Sequence, residues 1–262
     1  EFFEEIDFAK DGKSFFIKSD KEGYKQLYHY SLDGKLINKV TKDEKSVSSI
    51  YRYDEENGYV YFLAQGDNTV ERHLYKAELN GDDVEQLTNE PGTHSCYVAP
   101  KGKYIIDSYS SIDAPKIMNL LDDDGDLLKE LGNAKSEVFD SYKLGKAELF
   151  TIPSTDGFDL PAKWILPPDF DESKKYPVLF QIYGGPGTQD VRNSFPWSMG
   201  SYYLAQNGII VISVDHRGSW NFGKKGMNYL HRSLGMWEMH DYIEAVKLSL
   251  IHISEPTRPT LI

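Results

Sequence analysis

Cysteine is almost absent. The 262-residue chain has one, Cys96, which excludes an intrachain disulfide framework and any multi-cysteine metal site. No apolar run approaches the roughly 20 residues that span a bilayer as a helix. Basic residues are in deficit, 29 against 41 acidic, and the net charge of -12 disfavours nucleic acid and anionic membranes as partners. The seven histidines show no metal-ligand spacing. The chain opens at Glu1 with no initiator methionine and no visible signal peptide, so its natural start is expected upstream. What it has in quantity is aromatic: 18 tyrosines and 13 phenylalanines, set in short alternating segments that favour strands.

The first 133 residues repeat. Asp11-Gly12, Asn57-Gly58 and Lys101-Gly102 each precede an apolar strand: Phe15-Ile17, Tyr59-Leu63 and Tyr104-Ile106. A second marker follows at Asp33-Gly34, Asn80-Gly81 and Asp124-Gly125. The first recurs at spacings of 46 and 44 residues, the second at 47 and 44. Asn or Asp before Gly suits a tight hairpin turn. Turn and strand alternating at this period predict the four-stranded blades of a β-propeller. Three units cannot close one, so these are expected to be the last blades of a larger propeller.

From about Glu148 the texture changes. Leu149-Ile152 and Ala162-Leu166 read as strands around an Asp156-Gly157 turn. Val178-Tyr183 and Ile209-Val214 read as buried strands, because they are apolar without alternation. Tyr202-Ala205 suggests a helix. Trp237-Ile251 reads as another, with Tyr242, Ile243, Val246 and Ile251 spaced for one buried face. The most informative junction is Tyr176-Ile182 running into Tyr183-Gly184-Gly185-Pro186-Gly187. An apolar strand that breaks into glycines brings backbone and one phenol to the carboxyl edge of a sheet, where α/β folds bind ligands. The final stretch, residues 251–262, places two prolines where a helix should end, and is expected to be a non-native or disordered tail.

Over residues 1–250 the chain resembles the dipeptidyl-peptidase-IV branch of the prolyl oligopeptidase family of serine peptidases. Several motifs carry the resemblance in order: Leu166-Pro167-Pro168-Asp169, Tyr183-Gly184-Gly185-Pro186, Val214-Asp215-His216-Arg217-Gly218-Ser219, Phe222-Gly223, Arg232-Ser233-Leu234-Gly235 and Trp237-Glu238-Met239-His240-Asp241-Tyr242. It implies the C-terminal blades of a β-propeller over residues 1–147, then the N-terminal part of an α/β-hydrolase domain over residues 148–250. It also implies a serine-type exopeptidase that removes dipeptides or tripeptides from peptides with a free N-terminus, preferentially after proline, through an acyl-enzyme and without cofactor or metal. In the family the serine sits in a G-x-S-x-G elbow on the next strand. No such pentapeptide occurs here. The chain is therefore expected to stop before its nucleophile and the triad aspartate and histidine, and to be inactive alone. The family's strand order would put the strand at Val178 beside that missing one.

By the same resemblance, Tyr183 donates its hydroxyl to the oxyanion, and Gly184, Gly185 and Pro186 shape its loop. Asp215 and His216 do not make a catalytic pair, since adjacent residues leaving a strand point apart; ion pairing of Asp215 or Arg217 is the expectation. The sequence departs from the family at His216, where glycine is frequent, and at Trp220-Asn221, where glycine is usual after Ser219. The acidic pairs Glu4-Glu5 and Glu55-Glu56 read as solvated faces or turns, and Asp122-Asp123-Asp124-Gly125 as a hairpin turn. Two alternatives stand beside this reading: another hydrolase of the group (an oligopeptidase cutting internal bonds, an acylaminoacyl peptidase or an esterase), and a non-enzymatic propeller binding protein. The resemblance leaves room for a homodimer in the full-length protein and leans towards a periplasmic or secreted location.

Overall fold

In the first half, each repeat folds into an antiparallel four-stranded meander. The computed structural model describes residues 3–196 and 198–252, and the chain divides into two units, Glu1–Ala134 and Lys135–Ile262. The first meander is β1 (Phe3–Phe8), β2 (Ser14–Ser19), β3 (Gln26–Ser31) and β4 (Leu36–Lys39). The second is β5 (Val47–Asp54), β6 (Tyr59–Gln65), β7 (Arg72–Glu78) and β8 (Val84–Gln86). The third is β9 (Thr93–Val98), β10 (Tyr104–Ser110), β11 (Ile117–Asp122) and β12 (Leu127–Asn133). Both glycine markers fall at equivalent hairpin turns, and all six glycines have φ between +65° and +86°.

Strand alternation sorts the core. Along β6, Val60, Phe62 and Ala64 join Phe16, Leu27 and Val47 in one cluster, while Tyr61 joins Leu74, Leu87, Val98, Ile105 and Leu121 in another. The middle meander thus buries both faces, one against each neighbour, as a period of two residues allows. A single parallel bridge, Arg72 to Thr93, joins the second and third meanders into one sheet. No closed ring of blades forms among the described residues.

The second unit is built on a mixed sheet. Its strands are β13 (Lys146–Pro153), β14 (Asp159–Leu166), β15 (Val178–Gln181) and β16 (Ile210–Val214), in the order β13-β14-β16-β15. Only β15 and β16 run parallel, with Val178 opposite Ile210 and Gln181 opposite Ser213. Its helices are α1 (Glu137–Asp140), α2 (Gly200–Gln206), α3 (Gly223–Leu230) and α4 (Trp237–His252). One face of the sheet, through Leu160, Ala162, Ile210, Ile212 and Val214, packs with Tyr242 and Ala245 of α4.

Three expectations need correction. The first part does not extend to residue 147. Segment 135–145 goes with the second unit, where Phe139 packs edge-on against Phe195 and the Lys143 carbonyl accepts from Gln206 Nε2. Only one of the two apolar strands is buried. β16 is buried throughout, whereas β15 alternates, with Leu179 41% and the following Ile182 50% exposed. The reason is position: β15 is the outermost strand of this sheet among the described residues. In α4 the inward face is Glu238, Asp241, Tyr242 and Ala245, and Ile243 points outward at 47% exposure. The helix runs through Ile251 and His252, and the rest of the expected tail lies outside the described residues.

Candidate active site

Because β15 and β16 are parallel, their carboxyl ends lie side by side, and the two loops leaving them meet. They are joined along their length. The Gly187 N–H donates to the Gly218 carbonyl (2.9 Å) and the Trp220 N–H to the Thr188 carbonyl (3.1 Å). Gln189 Nε2 donates to Asn221 Oδ1 (2.9 Å). Asp215 closes the seam: its carboxylate accepts from the backbone N–H groups of Asp190 (2.8 Å) and Val191 (3.3 Å) and from Asn221 Nδ2 (2.8 Å). Burial outweighs these donors and pushes the Asp215 pKa up to about 6. Trp220 and Asn221, the departures from the family's usual glycine, are both buried in this seam.

Tyr183 stands at the open end, two residues past β15 and 65% exposed. Gly184 takes φ +81°, a conformation a side chain would strain. The Tyr183 ring borders a cleft of ≈ 900 Å³ that also reaches Lys163, Asp190, Arg192 and Tyr203. Burial lowers the Lys163 pKa against the opposing pull of Asp215 and Asp190. The site therefore presents an accessible phenol beside a partly charged hollow, on a loop pinned along its far side.

Arg217 anchors the second loop from within and is fully buried. Its backbone N–H donates to Asp241 Oδ2 (2.7 Å), its Nε to Asp241 Oδ1 (3.0 Å) and its Nη1 to Asp156 Oδ2 (2.5 Å). The guanidinium lies over Phe158 (4.7 Å) and Trp237 (4.6 Å). Burial would pull the Arg217 pKa down, but the two carboxylates prevail and raise it. In return, the hydrogen bonds from Arg217 hold the Asp156 carboxyl below its usual range.

Asp215 and His216 do part company as their adjacency suggested. The His216 Nδ1 accepts from the Gly218 N–H (3.1 Å), and burial lowers the pKa of its ring. The expected ion pairing holds for Arg217, whereas Asp215 is satisfied by backbone and amide donors. Glu55-Glu56 lies in the β5–β6 turn, where Glu55 accepts from the Lys10 N–H (2.9 Å), and Asp122 caps the β11–β12 turn by accepting from the N–H of Asp126 (2.9 Å). Glu4-Glu5 falls within β1. His94, in the first unit, is spoken for on both sides, with Asp107 at Nδ1 (2.9 Å) and the Glu90 carbonyl at Nε2 (2.8 Å). Sequence reading placed Asp156 in a turn and Tyr242 on the buried face of its helix, but gave neither them nor Asp241 a part in the site. Asp241 did leave a signal, a charged residue between apolar ones on a helix face.

Comparison with known proteins agrees with this architecture. The model of the dipeptidyl peptidase IV N-terminal region matches residues 1–116, and that of the prolyl oligopeptidase family matches residues 194–251. A probable dipeptidyl-aminopeptidase B of Tuber melanosporum is 33% identical over 87% of this chain, and another from Arthroderma benhamiae is 33% identical over 74%. The chain spans only 26% and 22% of those proteins. The crystal structure of Porphyromonas gingivalis dipeptidyl peptidase 4 superposes with a TM-score of 0.86 at 26% identity, over 95% of this chain and 36% of that one. Two family models matched in order, with likeness in sequence and structure along nearly the whole length, show that this chain belongs to the dipeptidyl-peptidase-IV branch of the prolyl oligopeptidase family.

Proposed function

We propose that this chain supplies part of a serine-type exopeptidase that removes dipeptides, or tripeptides, from peptides with a free N-terminus, preferentially after proline. On this reading the first unit is a set of propeller blades and the second the opening part of an α/β-hydrolase domain. The observation that carries the proposal is Tyr183: a phenol 65% exposed, past the end of a parallel strand, on a glycine loop and facing a cleft.

The chemistry that suits this group is acyl transfer. Attack of a serine on a peptide carbonyl puts negative charge on the carbonyl oxygen, and a donor already aimed there lowers the barrier. The Tyr183 hydroxyl would donate to that oxygen. Gly184, Gly185 and Pro186 let the backbone turn so that a reacting carbonyl can come close. Serine, triad histidine and triad aspartate are not assigned to any residue of this chain; the G-x-S-x-G sequence that would carry the nucleophile is absent from it.

A fluorophosphonate probe and a chromogenic X-Pro substrate test the proposal on the protein expressed from the complete gene. Covalent labelling and release of the chromophore are expected. A protein that folds, takes no label and cleaves neither X-Pro nor X-Ala substrates would refute it.

A further inference from the structure

Two buried side chains with no part in the chemistry above grip the peptide that follows Tyr183. The His216 imidazole donates to the backbone of Gly185, and the Tyr242 hydroxyl accepts from the backbone N–H of Gly184. The His216 Nδ1 is already accepting from the Gly218 N–H (3.1 Å), so the ring meets the Gly185 carbonyl with its other nitrogen as donor. One imidazole thereby ties both loops together, through Gly218 on one and Gly185 on the other. The rings of His216 and Tyr242 pack edge to face, 5.7 Å between centroids and 81° between planes. Neither is free to swing, for both are buried.

Gly185 in turn touches the phenol. A Cβ placed on it would lie 2.4 Å from Tyr183 Cε1, so the position of Gly185 limits where the ring can rest. We propose that His216 and Tyr242 are positioning residues that set the aim of the Tyr183 hydroxyl by fixing the Gly184–Gly185 turn. The inference rests on the peptidase reading of Tyr183 given above. It also gives the histidine at 216 a purpose, since glycine there could make neither side-chain bond.

A double-mutant cycle in the protein from the complete gene tests it, with turnover of an X-Pro substrate as the readout. His216→Gly is expected to lower kcat roughly tenfold with KM little changed, as a small misplacement of a catalytic donor does. In a Tyr183→Phe background the same change should cost less than about twofold, because the donor it aims is gone. His216→Gln, which keeps an N–H near the Gly185 carbonyl, should recover most of the loss. If His216→Gly fails to fold, Tyr242→Phe removes one hydroxyl and keeps the ring; it should show the same kcat loss and the same dependence on Tyr183. Hydrogen exchange over residues 183–187 should rise in these variants while β16 stays protected. Equal loss with and without the Tyr183 hydroxyl, or no loss at all, would overturn the positioning role while leaving Tyr183 in place. A Tyr183→Phe enzyme as active as the parent would instead remove the reading on which the inference rests, and the inference with it.

Discussion

Gly185 leaves no room for a β-carbon beneath the ring of Tyr183: built there, it would sit 2.4 Å from Cε1. Backbone and phenol are thus in direct contact on a loop whose opposite side is bonded to the 215–221 segment. Gly185→Ala should push the ring aside rather than unfold the unit, because the atom it meets belongs to an exposed side chain. Turnover of the complete protein should fall about tenfold or more with little change in melting temperature. Parallel kinetics and thermal melts would check this.

The Arg217–Asp241 pair predicts a stability effect instead. Asp241 accepts from the Arg217 backbone and side chain in a fully buried setting. Asp241→Ala should destabilise the unit by about 3–5 kcal/mol, the usual cost of leaving one buried charge of a pair behind. Asp156→Ala, whose carboxylate is partly exposed, should cost only about 1 kcal/mol. Urea melts of the two variants would separate them.

Acid should loosen the Tyr183 loop through His216. Burial lowers the pKa of this ring below its ordinary 6.5, against the opposing charges of Glu238 and Asp241 from α4, the backbone hydrogen bond to Gly185 and the charge of Asp190 from the adjoining loop; the Tyr242 phenol also packs on it. The unfolded chain binds a proton near pH 6.5 that the folded chain resists. This contribution to stability is present above pH 6.5 and lost as pH falls through the folded value. Asp215 has the opposite sign: with its pKa pushed up to about 6, its contribution is full below about pH 4 and lost as pH rises through 6. Melting curves between about pH 5 and 7 should show His216→Gln losing less stability on acidification than the parent.

The purified 262-residue chain should self-associate. β15 is an outer strand carrying exposed Leu179, with exposed Ile182 just beyond it, and such edges recruit other strands. Leu179→Lys with Ile182→Lys should reduce light scattering of the purified chain, because charge blunts strand pairing. A monodisperse parent chain would count against this.

Local signals were legible where a structural need is met by neighbouring residues. The six glycine markers, five of them preceded by Asn or Asp, located the hairpin turns of all three meanders, since a left-handed turn demands glycine at that point. The run Ile210–Val214 revealed a strand covered on both faces. The run at Val178 looked the same, yet β15 is the outermost strand of its sheet among the described residues, and a strand's place in a sheet is not encoded in its own apolar composition. Ile243 misled for a similar reason: the helix turns Asp241 inward to meet Arg217, and that shifts which positions face the sheet.

The candidate site was half legible. Tyr183 and its glycines are contiguous, so the motif could be read directly. The seam that holds them pairs residues 25 or more positions apart in several places, such as Asp190 with Asp215 and Gln189 with Asn221. Such a match has no local sequence signature. The same holds for Tyr242, which reaches Gly184 from a helix more than 50 residues later.

The most direct test of the account is Tyr183→Phe in the protein from the complete gene, assayed with an X-Pro substrate. Loss of one oxyanion donor should lower kcat by about 10²–10³ with KM and the circular dichroism spectrum little changed. A kcat within about threefold of the parent would contradict the assignment of this phenol to the oxyanion, and with it the central claim.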